Sequence, residues 1–212
     1  IDVYFEDDVN LIPEEIKKHA NSSLIIFTPA IPRDNTQKVW LENKGYKLYK
    51  RAEILGHISS NFNCIAVAGT HGKTSVSSMI AHMLRSANRN ITAFVGGIMK
   101  NYESNVILGN PQNEDHWVLA EADEFDRSFL HLSPDISIIT SAEADHLDIY
   151  GREEELKENF RSFAKRLKSK GRIFVQNRFV DDFKNIGDIN ISNYGIETGN
   201  THADNLKILE GK

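Results

Sequence analysis

The 212-residue sequence predicts an α/β fold, a mostly parallel sheet with flanking helices. Three observations predict it. Short apolar runs alternate with helix-period segments along the chain, and β/α alternation implies parallel strands. One run breaks at residues 69–74 into Gly-Thr-His-Gly-Lys-Thr and passes straight into a helical pattern. Two further runs end in clusters of carboxylates, at Glu121 and at Glu143, the edge at which open parallel sheets bind ligands.

Composition sets the outer bounds. Hydrophobic residues make up 40% and charged residues 26%, with a formal net charge of -5, so the chain reads as globular with a mildly acidic surface. Nucleic acid is not an implied partner. No apolar run approaches the roughly 18 residues of a membrane span, and no basic-then-apolar leader precedes the fold, so membrane insertion is not expected. The single cysteine, Cys64, allows no internal disulfide and lies in an apolar run, as a packed small residue would. Together these favour the cytoplasm.

Residues 1–57 are expected to form a partial Rossmann-like domain, and residues 58–212 a P-loop type domain. In the first, Val3, Tyr4 and Phe5, then residues 24–27, then residues 46–49 read as strands, and residues 13–19 and 35–43 as helices. Pro13 suits the first turn of a helix and Gly45 the residue just past one. The run at 24–27 leads into Thr28-Pro29-Ala30-Ile31-Pro32, which reads either as a ligand-contacting turn at a strand end or as an ordinary proline-rich turn. Residues 51–60, with Ile54, Leu55 and Ile58 on one face, predict a short amphipathic helix connecting the domains.

The second domain opens on the phosphate-loop pattern. Ile65 and Val67 mark a buried strand; Gly69 and Gly72 let backbone N–H groups point inward; Val76, Met79, Ile80, Met83 and Leu84 recur at the spacing of one helix face. The positive end of that helix meets the loop, which suits phosphate. Lys73 would reach the β and γ phosphates, and the Thr74 hydroxyl a Mg²⁺ ion. The pattern departs from GxxxxGK[ST] because Val67 holds the place of its first glycine.

Residues 91–95 predict a strand closed by Gly96-Gly97, and residues 100–115 an exposed hairpin or loop. Residues 117–120 predict a buried strand that delivers Glu121, Asp123, Glu124 and Asp126 to the sheet edge, Glu121 being the best placed to direct a metal. Residues 136–140 predict the next strand, followed by Glu143, Asp145, His146 and Asp148. Among those acids His146 reads as a metal ligand, against the plainer reading of a satisfied histidine. Residues 152–170 predict a long amphipathic helix with Leu156, Phe160, Phe163, Ala164 and Leu167 on its buried stripe. Strands are expected at 172–175 and 189–191, with a weak one at 206–209.

These blocks resemble the Mur ligases, which build the peptide stem of bacterial cell-wall precursors. The loop at 69–74, Glu121-Ala122-Asp123-Glu124-Phe125-Asp126 with Ser128-Phe129-Leu130-His131-Leu132, and Glu143-Ala144-Asp145-His146-Leu147-Asp148 with Tyr150 are similar to that family's motifs, and His71 resembles its alanine-adding branch. Ser141 departs from the pattern, where relatives usually carry Asn. The resemblance implies that Gly69, Thr70, His71, Gly72, Lys73, Thr74 and Ser75 bind ATP, and that Thr28, Pro29 and Ala30, with His71, contact a UDP sugar. It also implies a C-terminal domain outside this sequence, so that the stretch alone is expected to be inactive.

The implied reaction is ligation of L-alanine to UDP-N-acetylmuramate through an acyl phosphate. Lys73, Glu121 and His146 would be the catalytic residues, one Mg²⁺ lying on Thr74 and Glu121 and a second on His146 and Glu121. A murein tripeptide recycling ligase shares the His71 loop. A nucleotide-dependent switch module is the alternative from another class, but two acidic blocks suit acyl activation better than hydrolysis alone.

Overall fold

The computed structural model describes residues 2–123, 125–143 and 153–206. The chain forms two compact units, Ile1–Ile54 and Leu55–Lys212.

The first unit holds a two-stranded parallel sheet, β1 (Ile25–Phe27) against β2 (Leu48–Lys50). Two helices, α1 (Glu14–Lys18) and α2 (Thr36–Asn43), accompany it. α1 starts after Pro13 and carries Glu14 and Glu15 in its first turn and Lys17 and Lys18 in its last, matching the helix dipole. The Asn35 side chain caps α2 by accepting from the Lys38 N–H at 2.9 Å, and Gly45 lies just beyond the helix at φ 79°. Ile12, Leu41 and Tyr46 are buried together, with Trp40 and Leu48 against them.

The strand expected at Val3, Tyr4 and Phe5 is absent. That segment pairs with neither β1 nor β2, and Phe5 is 94% exposed. What orders it is Asp7, whose carboxylate accepts from the Thr36 N–H at 2.8 Å and the Thr36 hydroxyl at 2.7 Å. A β-branched and aromatic run makes a strand only where a neighbour offers its ladder.

α3 (Arg51–Asn61) leads into the second unit, an eight-stranded sheet. Its order is β10-β9-β8-β7-β3-β6-β4-β5. The strands are β3 (Asn63–Ala68), β4 (Ile91–Met99), β5 (Ser104–Ile107), β6 (Trp117–Glu121), β7 (Ile136–Ile139), β8 (Arg172–Gln176), β9 (Asn190–Ile196) and β10 (Thr201–Ala203). Every pairing is parallel except the β4–β5 hairpin; of the hairpin or loop expected at 100–115, residues 104–107 form its second strand, and β4 itself is the first. β3 lies between β6 and β7, so the chain leaves the phosphate-loop strand with one later strand on each side. That is where a crevice opens at the carboxyl edge of such a sheet.

Alternate residues of the central strands face opposite cores. Ile65, Ala93 and Leu119 pack with Ala81 of α4 (Lys73–Ser86). Ala66, Ala68 and Ala120 face α5 (Glu153–Ala164), which supplies Leu156, Phe160 and Phe163. The alanines make room for rings: Phe129 stacks on Phe163 with centroids 5.0 Å apart and meets Phe160 edge-on at 5.6 Å. Cys64 is fully buried in β3, and burial pushes its thiol up to about 12.

Further elements differ from expectation, among them β9, which runs on to Ile196 beyond the expected 191. α5 ends at Ala164, six residues before the expected 170, because the basic residues that follow turn back onto the domain: Lys168 donates to the Phe62 carbonyl at 2.6 Å and Arg166 to the Leu132 carbonyl at 3.2 Å. β4 runs through Gly96-Gly97 to Met99 instead of stopping there. The strand expected at 206–209 does not include Leu206, and residues 207–209 lie outside the described residues. The 3-10 turns Phe125–His131 and Asn177–Phe183 and strand β10 carry no periodicity that the sequence reveals.

Candidate nucleotide site

The loop 69–72 leaves β3 at its carboxyl end and enters α4 at Lys73. Two glycines make the path possible. Gly69 stands at φ 141° and Gly72 at φ 80°, both in the half of backbone space that side chains disfavour. A Cβ on Gly69 would collide with the Thr140 hydroxyl and lie 2.8 Å from the Ser141 nitrogen, so the loop rests directly on the end of β7. Val67, which replaces the expected first glycine, is fully buried in β3 and accepts the Ala122 N–H at 2.8 Å. The loop therefore begins two residues later than the general pattern, where the strand ends.

Lys73 folds back over this loop and donates to the Gly69 carbonyl at 2.8 Å. One residue on, the Thr74 hydroxyl donates to Glu121 Oε1 at 2.9 Å. The other carboxylate oxygen of Glu121 accepts from the Gly96 N–H at 2.6 Å. A Cβ on Gly96 would lie 2.6 Å from Glu121 Oε1, and this explains a glycine inside β4: the carboxylate lies against bare backbone. Gly97 brings β4 equally near Thr74, whose methyl group a Cβ there would meet at 3.1 Å. Thr74 and Ser75 are exposed, and a cleft of about 410 Å³ opens beside them, between α4 and the β4–β5 turn, lined by Met79, His82, Ile98 and Tyr102.

The backbone amides do not all face inward, as the sequence suggests they should. The Thr70 N–H donates to the Ser141 carbonyl at 3.2 Å and the His71 N–H to the Ser141 hydroxyl at 2.7 Å. Donors suited to an anion also lie in the first turn of α4, where helix N–H groups have no intrahelical partner.

The structure thus brings Gly69, Thr70, His71, Gly72, Lys73, Thr74, Ser75 and Glu121 to one edge of the sheet. His146 lies outside the described residues, as do Glu124, Asp145 and Asp148. Thr28, Pro29 and Ala30 belong to the first unit, in the turn after β1, where the Thr28 hydroxyl accepts from the Ala30 N–H at 3.2 Å. Sequence reasoning missed Gly96 and Thr140 as site residues. The signal for Gly96 was present, two glycines closing an apolar run, but it reads equally as a strand terminator. Among the described residues no group of three or more His, Cys, Asp or Glu side chains could hold a metal ion. A hydroxyl and a carboxylate oxygen 2.9 Å apart nevertheless suit Mg²⁺, a hard cation that keeps several positions for water and phosphate.

The model of the Mur ligase middle domain matches residues 67–211, from the end of β3 onward. The chain belongs to the Mur ligase family. UDP-N-acetylmuramate–L-alanine ligases from Christiangramia forsetii and Flavobacterium johnsoniae are 43% and 46% identical to it over 100% and 82% of the chain. The chain spans 44% and 38% of the length of those two proteins. Among solved structures, UDP-N-acetylmuramate–alanine ligase from Thermotoga maritima superposes with a TM-score of 0.68 at 25% identity, covering 89% of this chain and 42% of that one. The UDP-N-acetylmuramate:L-alanyl-γ-D-glutamyl-meso-diaminopimelate ligase from Neisseria meningitides gives a TM-score of 0.75 at 23% identity, over 93% of this chain and 64% of that one, which is a likeness of fold. The mostly parallel α/β architecture is that of these Mur ligases.

Proposed function

We propose that this chain carries the ATP site of a ligase that joins L-alanine to UDP-N-acetylmuramate in peptidoglycan precursor synthesis. The observation that carries the reading is the contact of Thr74 with Glu121 beside the Lys73 loop, at the carboxyl edge of adjacent parallel strands. The alanine-adding assignment follows the names of the relatives that are 43–46% identical. Residues 58–212 then form the ATP-binding domain, and residues 1–57 part of the domain that holds the UDP sugar, with Thr28, Pro29, Ala30 and His71 toward that substrate.

The chemistry asks mainly for charge neutralisation and alignment. The muramoyl carboxylate attacks the γ phosphorus, ADP leaves, and the alanine amine displaces phosphate from the acyl phosphate. Lys73 swings from the Gly69 carbonyl to the β and γ phosphates, which are better acceptors because they are charged. The first-turn amides of α4 and the Gly69–Ser75 loop bind and orient the phosphates. Thr74 and Glu121 would hold Mg²⁺, and His146 with Glu121 a second ion. Bound Mg²⁺ supplies neutralisation of the phosphate oxygens and alignment of the carboxylate with them. No helix among the described residues is long and apolar enough to cross a membrane, and we place the enzyme in the cytoplasm with its nucleotide substrates.

The test is the full-length protein with ATP, Mg²⁺, UDP-N-acetylmuramate and L-alanine. Product and phosphate should appear in equal amounts, and Glu121→Gln should lower turnover on the order of 1000-fold, as removal of a group aimed at developing charge does. Phosphate release that needs neither UDP-N-acetylmuramate nor L-alanine would favour a nucleotide switch instead.

A further inference from the structure

The hydrogen bonds at the end of β7 point to a role for a residue that no motif of the phosphate loop includes. Ser141 takes two consecutive loop amides, the Thr70 N–H on its carbonyl and the His71 N–H on its hydroxyl. The same hydroxyl lies 2.8 Å from the Thr70 hydroxyl and 3.3 Å from the His71 carbonyl. Its neighbour Thr140 lies within hydrogen-bonding distance of the same His71 carbonyl, at 2.5 Å, and of the Ala68 carbonyl, at 3.1 Å. Ser141 is 4% exposed and Thr70 6% exposed, so water does not compete for these groups.

The consequence is geometric. A peptide plane in a glycine-flanked turn can flip, because Gly69 and Gly72 tolerate both signs of φ. Two bonds from one residue fix the planes that carry the Thr70 and His71 N–H groups, and the Thr140 hydroxyl holds the His71 carbonyl. With those planes set, Gly72 is left at φ 80° and the chain enters α4 with its first-turn amides directed outward. A flipped His71 plane would turn a carbonyl toward the phosphates and repel them.

We propose that Ser141, seconded by Thr140, is a positioning residue for nucleotide binding: it braces the phosphate loop from the neighbouring strand without touching phosphate itself. The inference rests on the ATP site proposed above. It also gives physical content to the departure at this position. Ser141 presents an oxygen to the His71 N–H, and an Asn side chain has an acceptor oxygen as well, so either residue can serve the brace.

The experiment uses the full-length protein and three variants, Ser141→Ala, Ser141→Thr and Thr140→Val, the last nearly isosteric. Equilibrium binding of ATP and steady-state KM for ATP and for L-alanine are measured beside the thermal midpoint. Ser141→Ala should raise Kd and KM for ATP about tenfold, the effect of losing a buried hydrogen bond, with KM for L-alanine unchanged. Thr140→Val should raise the same two constants several-fold, and Ser141→Thr, which keeps the hydroxyl, should stay within about threefold of the parent protein. A purely structural role would instead lower the active fraction and leave KM for ATP alone, and that result would overturn the inference. Equal weakening by Ser141→Ala and Ser141→Thr would overturn it too. Failure of the unsubstituted protein to bind ATP would overturn the ATP site itself, and the brace with it.

Discussion

The two ends of β3 carry the same kinds of residue and use them in opposite ways. At the amino end, Lys168 donates to Asp135 at 2.9 Å and to the Phe62 carbonyl at 2.6 Å, while Asp135 also accepts the Cys64 N–H at 2.7 Å. There the lysine and the carboxylate meet each other and the backbone. At the carboxyl end, Lys73 donates to the Gly69 carbonyl of its own loop, and Glu121 gathers the Gly96 amide and the hydroxyl of Thr74, which faces an open cleft. One end closes the sheet; the other collects donors and a carboxylate on the surface behind a glycine loop. A lysine and an acid near a strand end therefore mean little by residue type alone, and what separates the two cases is the positive-φ pair Gly69 and Gly72; Gly171 at the amino end packs against the Asp135 and Lys168 carbonyls without that conformation.

The largest effect is expected at Gly96. In Gly96→Ala the new methyl group would stand 2.6 Å from Glu121 Oε1, and a flexible carboxylate side chain yields where a backbone would not. Turnover of the full-length enzyme should fall on the order of 100-fold while the thermal midpoint moves little. A variant that unfolds as readily as it loses activity would place Glu121 in the structure instead of the chemistry.

Asp135→Ala probes the other end and should do the reverse. Stability should fall by about 2 kcal/mol, a figure set by the Cys64 amide left without its acceptor more than by the partly exposed ion pair. Turnover per folded molecule should stay within about twofold of the parent, and a denaturant titration run beside the activity assay reads both. Loss of activity without loss of stability would join the two ends functionally.

The smallest effect concerns Cys64, which marks how dry the strand is between the two ends. Its thiol is pushed from 9.0 up to about 12 by burial, so below pH 9 it is neutral in both folded and unfolded chains and affects neither. Between the two values only the unfolded chain ionises, so stability is present below pH 9 and is lost as pH rises toward 12. Against Cys64→Ala, the parent should lose about 1 kcal/mol more between pH 8 and pH 10. Equal slopes would mean that β3 admits solvent.

Much of this was legible in the sequence because it depends on local pattern. The β3–loop–α4 unit follows from an apolar run, two glycines and a helical stripe, and Glu121 from the first carboxylate after an apolar strand. Other features depend on neighbours that periodicity does not name. Val3, Tyr4 and Phe5 have strand chemistry but no adjacent ladder, and the basic residues after Ala164 continue a helical stripe on paper yet turn away to bond Phe62, Leu132 and Asp135. Gly96 could be read only once β6 was known to bring Glu121 beside it, and Ser141 only once β7 was known to lie against the loop.

The proposed nucleotide site lies at the carboxyl edge of β3 and β6, with Lys73 on the phosphates and Thr74 and Glu121 on Mg²⁺. Calorimetric titration of ATP into the full-length protein, with Mg²⁺ and with the ion chelated, tests it directly when repeated on Lys73→Ala and Glu121→Gln. Binding should weaken at least about tenfold in Lys73→Ala, as expected for loss of a charge-assisted contact, and the gain from Mg²⁺ should vanish in Glu121→Gln. ATP affinity and Mg²⁺ dependence unchanged in both variants would mean that neither Lys73 nor Glu121 serves the nucleotide.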